Sequence, residues 1–159
     1  MTQDAGQIKE RILSIIQSQG PSLPVHIAAQ TGLSIIFASA FLSELISDKK
    51  IKISNLRVGS SPLYLVPGQE QMLENFSQYL KSKEKDAFIL LKEKKFLKDS
   101  EMEPAIRVAL RGIKDFAIAF RKGDEIFGEI DIDSDLPDAF KESDRLMLEK
   151  IANRLAEIM

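Results

Sequence analysis

Along the first eighty positions the apolar residues change period once. Ile8, Ile12, Ile15 and Ile16 recur at intervals of three and four, which predicts an amphipathic helix stopped by Gly20 and Pro21. Ser22 is placed to cap a short helix over about 23–30, closed by Thr31, Gly32 and Leu33. Ser34 is placed to cap a third helix over about 35–47, with Ala38, Leu42 and Leu45 on one side. After Asp48 the interval becomes two. Ile51, Ile53 and Leu56 are interleaved with Lys50, Lys52 and Ser54, and Leu63 and Leu65 follow a turn made by Gly59, Ser60, Ser61 and Pro62. The expected order over residues 1–68 is three helices and a basic hairpin.

The remaining chain is less regular. Gln69 opens a helical stretch carrying Met72, Leu73, Phe76 and Leu80, which predicts a connector over residues 69–82. A second helical run over 83–95 sets Ala87, Phe88 and Leu91, with Leu97 beyond, among Lys83, Lys85, Lys92, Lys94 and Lys95. Lys98, Asp99 and Ser100 break it, and 101–111 turns helical again with Ile106, Ala109 and Leu110 inward. Phe116, Ile118 and Phe120 then alternate, a turn falls at Lys122, Gly123 and Asp124, and the chain returns through Ile126, Ile130 and Ile132. A last amphipathic helix over 142–158 carries Leu146, Leu148, Ile151, Leu155 and Ile158, a stripe that serves as core first and as a dimer seam second.

The stretch AAQTGLSIIFASAFLSELISDKKIKI resembles the second helix, turn, third helix and first wing strand of the winged helix-turn-helix family. The fold class expected is therefore α+β: an N-terminal winged helix, a helical connector, and a helix, β-hairpin and helix over residues 83–159. Members of the family usually place the third helix in the major groove of duplex DNA and the wing on its backbone. This chain departs from that pattern where reading occurs. Base edges and phosphates are reached by Arg, Lys, Asn or Gln, whereas the outward positions here are Ile35, Ile36, Phe37, Ser39, Ala40, Phe41 and Ser43. An apolar outward face calls for cover, either by the rest of the chain or by another protein. Ile35, Ile36, Phe37, Ala40 and Phe41 are accordingly the candidate interface, toward a protein partner or a second copy.

The end of the chain, GEIDIDSDLPDAFKESDRLMLEKIANRLAEIM, resembles the last strand and closing helix of a GAF domain, and the likeness extends back to about residue 116. That resemblance implies a small-molecule sensor, although the upstream strands of such a domain are missing. The thiol-dependent methionine sulfoxide reduction of one GAF branch is excluded by the absence of Cys. Helix, helix and hairpin over 83–132 also echo the first unit, which keeps open a degenerate second winged helix.

Composition narrows the function classes further. The 159 residues are 44% hydrophobic and 29% charged, with a mean hydropathy of -0.10, values that suit a protein with a buried core rather than a disordered tail. Zero Cys removes thiolate catalysis and thiolate metal sites, and the single His, His26, cannot form a site that needs two imidazoles. No phosphate-cradling glycine loop is present, so the reading is non-enzymatic, with no cofactor and no metal. No stretch is long and apolar enough for a membrane span, and MTQDAGQIKE has no basic-then-apolar signal pattern, so the expected location is cytoplasmic.

Charge is distributed unevenly: residues 1–80 are neutral, 81–122 carry net +5 and 123–159 net -7. The basic middle suits a polyanion or pairs internally. Candidate phosphate contacts are Lys50, Lys52 and Arg57 on the hairpin, with Arg107 and Arg111 four apart on one helix face. They support weak, non-specific nucleic-acid binding as the alternative function. Asp131, Asp133 and Asp135 alternate and are expected on a solvent-facing strand side opposite Ile130 and Ile132.

Overall fold

The computed structural model describes residues 4–131. The chain is α+β and divides into two compact units, Met1–Leu80 and Lys81–Met159. In the first, α1 spans Ala5–Gln19 after Asp4, whose carboxylate accepts from the Gly6 amide. It ends at Gly20, which adopts φ +89, a backbone conformation that favours glycine; a Cβ there would also lie 2.5 Å from the mobile end of the Met72 side chain. α2 spans Pro24–Thr31 and α3 spans Ile35–Ser47. The bend between them is 110°, the geometry of a helix-turn-helix. Gly32 makes the turn in the left-handed region, and the Ser34 hydroxyl accepts from the Phe37 amide at 3.3 Å to start α3.

The three helices enclose Ile12, Ile16, Ile27, Ala28, Ala38, Leu42 and Leu45, together with Ile51 just beyond them. Each fully buried Ile or Leu contributes roughly 1.5–3 kcal/mol of transfer free energy. The second helix begins one residue later than expected, and its start lacks the expected side-chain cap. Ser22 is drawn elsewhere: its backbone exchanges two 2.9 Å hydrogen bonds with Tyr64, and its buried hydroxyl donates to Gly20 O. Pro24 takes over the first helical turn, where its missing amide costs nothing.

β1 (Lys52–Val58) and β2 (Ser61–Leu65) form an antiparallel hairpin with Gly59 and Ser60 at its tip. The register shifts between Ile53 and Arg57, which ends the simple alternation seen in the sequence. Ser54 is therefore buried, not outward: its hydroxyl donates to Leu56 O at 2.6 Å and accepts from the Leu63 amide at 2.9 Å. Ile53 is correspondingly half exposed.

The stretch after the hairpin forms 3₁₀ turns over Glu70–Tyr79 rather than an α-helix, and it belongs to the first unit. Gln69 fixes it, donating to Ile16 O at 2.8 Å and accepting from the Val66 amide at 3.1 Å, while Glu70 pairs with Lys52 and Leu73 is buried.

In the second unit, α4 (Ser82–Lys94) is followed at once by β3 (Phe96–Lys98), a three-residue strand too short to show an alternation of its own. Lys95 ends α4 at φ +66, a conformation usually given to glycine, so no glycine marks the boundary. A 3₁₀ turn over Asp99–Glu101 precedes α5 (Pro104–Gly112), which starts at its proline and not at 101. β4 (Ala117–Lys122) and β5 (Glu125–Asp131) close the unit around a Gly123–Asp124 loop. The sheet is three-stranded and antiparallel in the order β3-β5-β4, so the expected bare hairpin has an added strand. The closing helix expected over 142–158, with Ile132, Asp133, Asp135 and most of the GAF-like segment, lies outside the described residues.

The two units share a topology. Each runs helix, extended segment, short helix or turn, helix, hairpin, and in each the extended segment pairs with the hairpin's second strand. Tyr64 lies between Ser22 and Ile53, and Ile130 lies between Phe96 and Ile118.

Gly128 is the tightest point of the second sheet. A Cβ there would stand 2.5 Å from Leu97 O and 2.7 Å from the Phe96 ring, which meets Phe120 edge-on at 6.1 Å. Backbone cannot yield as a flexible side chain does, so Gly128→Ala should lower unfolding free energy by about 1–3 kcal/mol, the cost typical of overpacking. Urea denaturation of the full chain followed by circular dichroism measures it; an unchanged midpoint would show that the strands are not this close.

Candidate functional site

The outward side of α3 is set by its inward side. With Ala38, Leu42 and Leu45 in the core, a rotation of 100° per residue turns Ile36, Phe37, Ala40, Ser43, Glu44 and Ser47 to the opposite side. Ile36 is 81% exposed and Phe37 63%, and Ala40 is exposed as well. Ile35 lies on the core side by rotation, but in the first turn of the helix it is still 54% exposed. Phe41 differs from its four neighbours in the expected interface: it is half-buried and packs against the core cluster.

The polar members of the face are already engaged. Ser43 Oγ donates to Ser39 O at 3.0 Å and Ser47 Oγ to Ser43 O at 3.2 Å, so both hydroxyl protons are spent within the helix. Glu44 and Asp48 converge on Lys9 Nζ at 2.7 and 3.3 Å. The hydrogen bond that Lys9 donates to Glu44, with the one it donates to Asp48, raises its ammonium above its ordinary pKa. The exposed first half of α3 thus presents hydrocarbon, with the half-buried Ser39 hydroxyl as its one side-chain donor and acceptor.

Of the five candidate phosphate contacts, three lie on or beside the hairpin of the first unit and two on α5 of the second. Lys52 pairs with Glu70, and Arg57 Nη1 donates to Ser60 O at 2.8 Å across the hairpin tip. Burial pushes the Glu70 carboxyl up, but its hydrogen bond to Lys52 and the amides of Glu70 and Gly68 outweigh this and leave it below its ordinary value. Lys50 is exposed and makes no ion pair among the described residues. Arg107 and Arg111 both turn to Asp99, at 3.5 and 3.1 Å, so the helix-face stripe closes on the preceding turn and not on Glu103.

His26 is exposed on α2, and among the described residues no group of three or more His, Asp or Glu is placed to hold a metal ion. The carboxylates of β5 correct the sequence reading. Asp131 is 2% exposed rather than solvent-facing, because its backbone amide bonds Lys95 O at 3.0 Å and its carboxylate lies 3.6 Å from Lys95 Nζ. Glu129 is also 2% exposed, paired across the strands with Leu97 and Ala119. Burial pushes its carboxyl pKa up; Arg111 and Arg121 oppose the shift and Asp99 adds to it.

Sequence reasoning also missed a groove of about 810 Å³ in the second unit, between α4, β3 and the start of α5, with Leu90, Phe96, Met102 and Ile106 among its walls. It depends on the undetected strand. Val108, 68% exposed on α5, was missed as well, although its place three residues from both Ala105 and Arg111 was readable.

A helix-turn-helix with a preceding helix and a following hairpin is therefore the architecture that carries the exposed α3 face. Residues 8–68, which hold these elements, match a protein family described as FaeA-like protein. No curated protein and no solved structure matches the chain. Among the described residues no single helix is long and apolar enough to cross a membrane.

Two outcomes follow from the charges of the second unit. Because the folded-state pKa of Glu129 is raised, the folded state holds a proton that the unfolded chain releases, and stability falls as pH rises from the ordinary Glu range through the raised value. Glu129→Gln should flatten that slope and stabilise the protein at neutral pH, as read by denaturant midpoints across the acid-to-neutral range; a midpoint lower than wild type at neutral pH would contradict it. Asp99→Asn should release both guanidiniums at a stability cost of under about 1 kcal/mol, since the pairs are partly solvated. The released charge should delay elution from a heparin column, and unchanged elution would mean that Asp99 holds back no anion binding.

Proposed function

We propose that the protein is a non-enzymatic regulator or adaptor whose first unit works as a winged helix and contacts another protein through the outward face of α3. The observation that carries this reading is the exposure of Ile36, Phe37 and Ala40 on a helix whose polar groups are already bonded within the unit. Exposed clustered hydrocarbon gains from contact with protein and gains little from a polar groove edge. The second unit is read as a second, shortened winged helix, on the strength of its matching element order and strand pairing.

Nucleic acid is the competing ligand, and the charges limit it. With Lys52, Arg107 and Arg111 in ion pairs, Lys50 and the remaining nitrogens of Arg57 are the hairpin's contribution. Two phosphate contacts correspond to a logarithmic salt slope of about -2. Titrating the full chain into labelled duplexes of unrelated sequence should give weak binding of that slope, indifferent to sequence and unchanged by Ile36→Asp. Tight, sequence-selective binding abolished by Ile36→Asp would replace protein contact with DNA reading as the role of α3.

A further inference from the structure

We infer that the groove between α4, β3 and the start of α5 is the docking site of this chain's own residues 142–158, the amphipathic stretch that lies outside the described residues. The groove is about 810 Å³, and its apolar lining comes from Leu90, Phe96, Met102 and Ile106. Its charges are ordered along it. On the α4 wall Lys94 stands next to β3 and Asp86 stands two turns earlier, about 12 Å away at 1.5 Å per residue. On the wall formed by β3 and the turn after it, Lys98 ends the strand, and Glu101 and Glu103 follow toward α5. Followed away from β3, each wall therefore passes from lysine to carboxylate.

The point where the described chain ends selects the occupant. Ile130 of β5 pairs with Phe96, and the Asp131 amide donates to Lys95 O at 3.0 Å, so the chain leaves the sheet beside the lysine end of the groove. Ten residues, 132–141, then lead to 142, and fully extended they span up to about 33–36 Å, well beyond the length of the α4 wall. At helical spacing, Leu148, Ile151, Leu155 and Ile158 make one apolar stripe, with Asp144 at its leading end and Arg154 along its flank. Asp144 and Arg154 are ten residues apart, about 15 Å on a helix. Laid antiparallel to α4, the segment sets Asp144 at Lys94 and Arg154 at Asp86, while its stripe enters the hydrocarbon between them. The opposite direction sets like charges together. The same complementarity holds for the larger blocks, since residues 81–122 carry net +5, residues 123–159 carry net -7, and both belong to the second unit. A tether of this length gives a local concentration on the order of millimolar, so a free partner of similar chemistry competes at a disadvantage.

Paired cysteines in the full chain test this, because the wild type has none. Under mild oxidation, Leu90→Cys with Ile151→Cys should close a disulfide within one chain, read by mass spectrometry as loss of the two thiol hydrogens and unchanged on dilution. Leu90→Cys with Glu149→Cys separates the thiols by almost the same length of chain but puts the second on the far side of the stripe. Its yield should be at least about fivefold lower, since a disulfide forms only between side chains that face each other closely. Adding Asp144→Lys to the first pair should lower its yield, and adding Lys94→Asp to that variant should restore it. Should Leu90→Cys cost the fold, seen as a lost melting transition, Met102→Cys takes its place with the same expectations. Equal yields from the Ile151 and Glu149 pairs overturn the inference, as does the absence of an intrachain disulfide in a folded Ile151 pair. Disulfides between chains also overturn it and give the groove to a second copy.

Discussion

In both units the second strand of the hairpin is bonded on two sides, and this double pairing fixes where everything else can lie. Tyr64 exchanges backbone hydrogen bonds with Ser22 and pairs with Ile53; Ile130 pairs with Phe96 and Ile118. A hairpin by itself is marginal in water, and its second strand would leave one edge of amides and carbonyls unpaired. Drawing the segment after the first helix onto that edge satisfies the backbone. It also brings the first helix to the hairpin, so the helices between them must fold back into the space that remains. In the first unit that space is filled by Ile12, Ile16, Ile27, Ala38 and Leu42. The 110° turn at Gly32 follows, because α2 and α3 each have an inner face to bury and only three residues between them.

Once the inner face of α3 is assigned, its outer face has no further freedom. The helix is apolar nearly all round, which usually marks a fully enclosed helix. Here enclosure stops at one side, and Ile35, Ile36 and Phe37 remain in solvent. They add nothing to the fold that a polar residue would not add, and they carry the cost of exposed hydrocarbon. Their exposure is the observation on which the proposed contact with another protein rests.

How much of this the sequence disclosed depended on whether the deciding signal was local. The three N-terminal helices and both hairpins were legible because their apolar spacing and their glycine turns lie within one element. Phe41 was misjudged by a fraction of a turn: four residues from Phe37 it shares a side in outline, yet a rotation of 40° is enough to bring it onto the core. β3 was hidden because Lys95 takes a left-handed conformation with no glycine to signal it and because three residues are too few to show a period of two. Ser54 and Asp131 looked solvent-facing because alternation assumes an unbroken strand and an edge open to water. A bulge turns the first inward, and a lysine on the neighbouring segment draws in the second. Each of these depends on a partner distant in sequence, which no window of neighbouring residues contains.

The likeness of the two units extends from topology to the disposal of charge. In the first, Lys9 of the leading helix gathers Glu44 and Asp48 from the C-terminal half of α3. In the second, Asp99 of the turn before α5 gathers Arg107 and Arg111 from that helix. The signs are reversed but the result is the same. The helix before the hairpin has its charges drawn to one side by its own unit, and its most exposed large apolar side chain is aliphatic, Ile36 at 81% in one case and Val108 at 68% in the other. Surface ion pairs of this kind contribute little to stability, so their consequence lies in what they leave uncovered. A helix that keeps its charges for its own unit cannot use them to bind a polyanion, so Arg107 and Arg111 are not the part of the net positive charge of residues 81–122 that is open to one. In each unit the ion pairs therefore matter less for stability than for removing charge from the helix that precedes the hairpin, and the apolar side chain beside them is left in solvent.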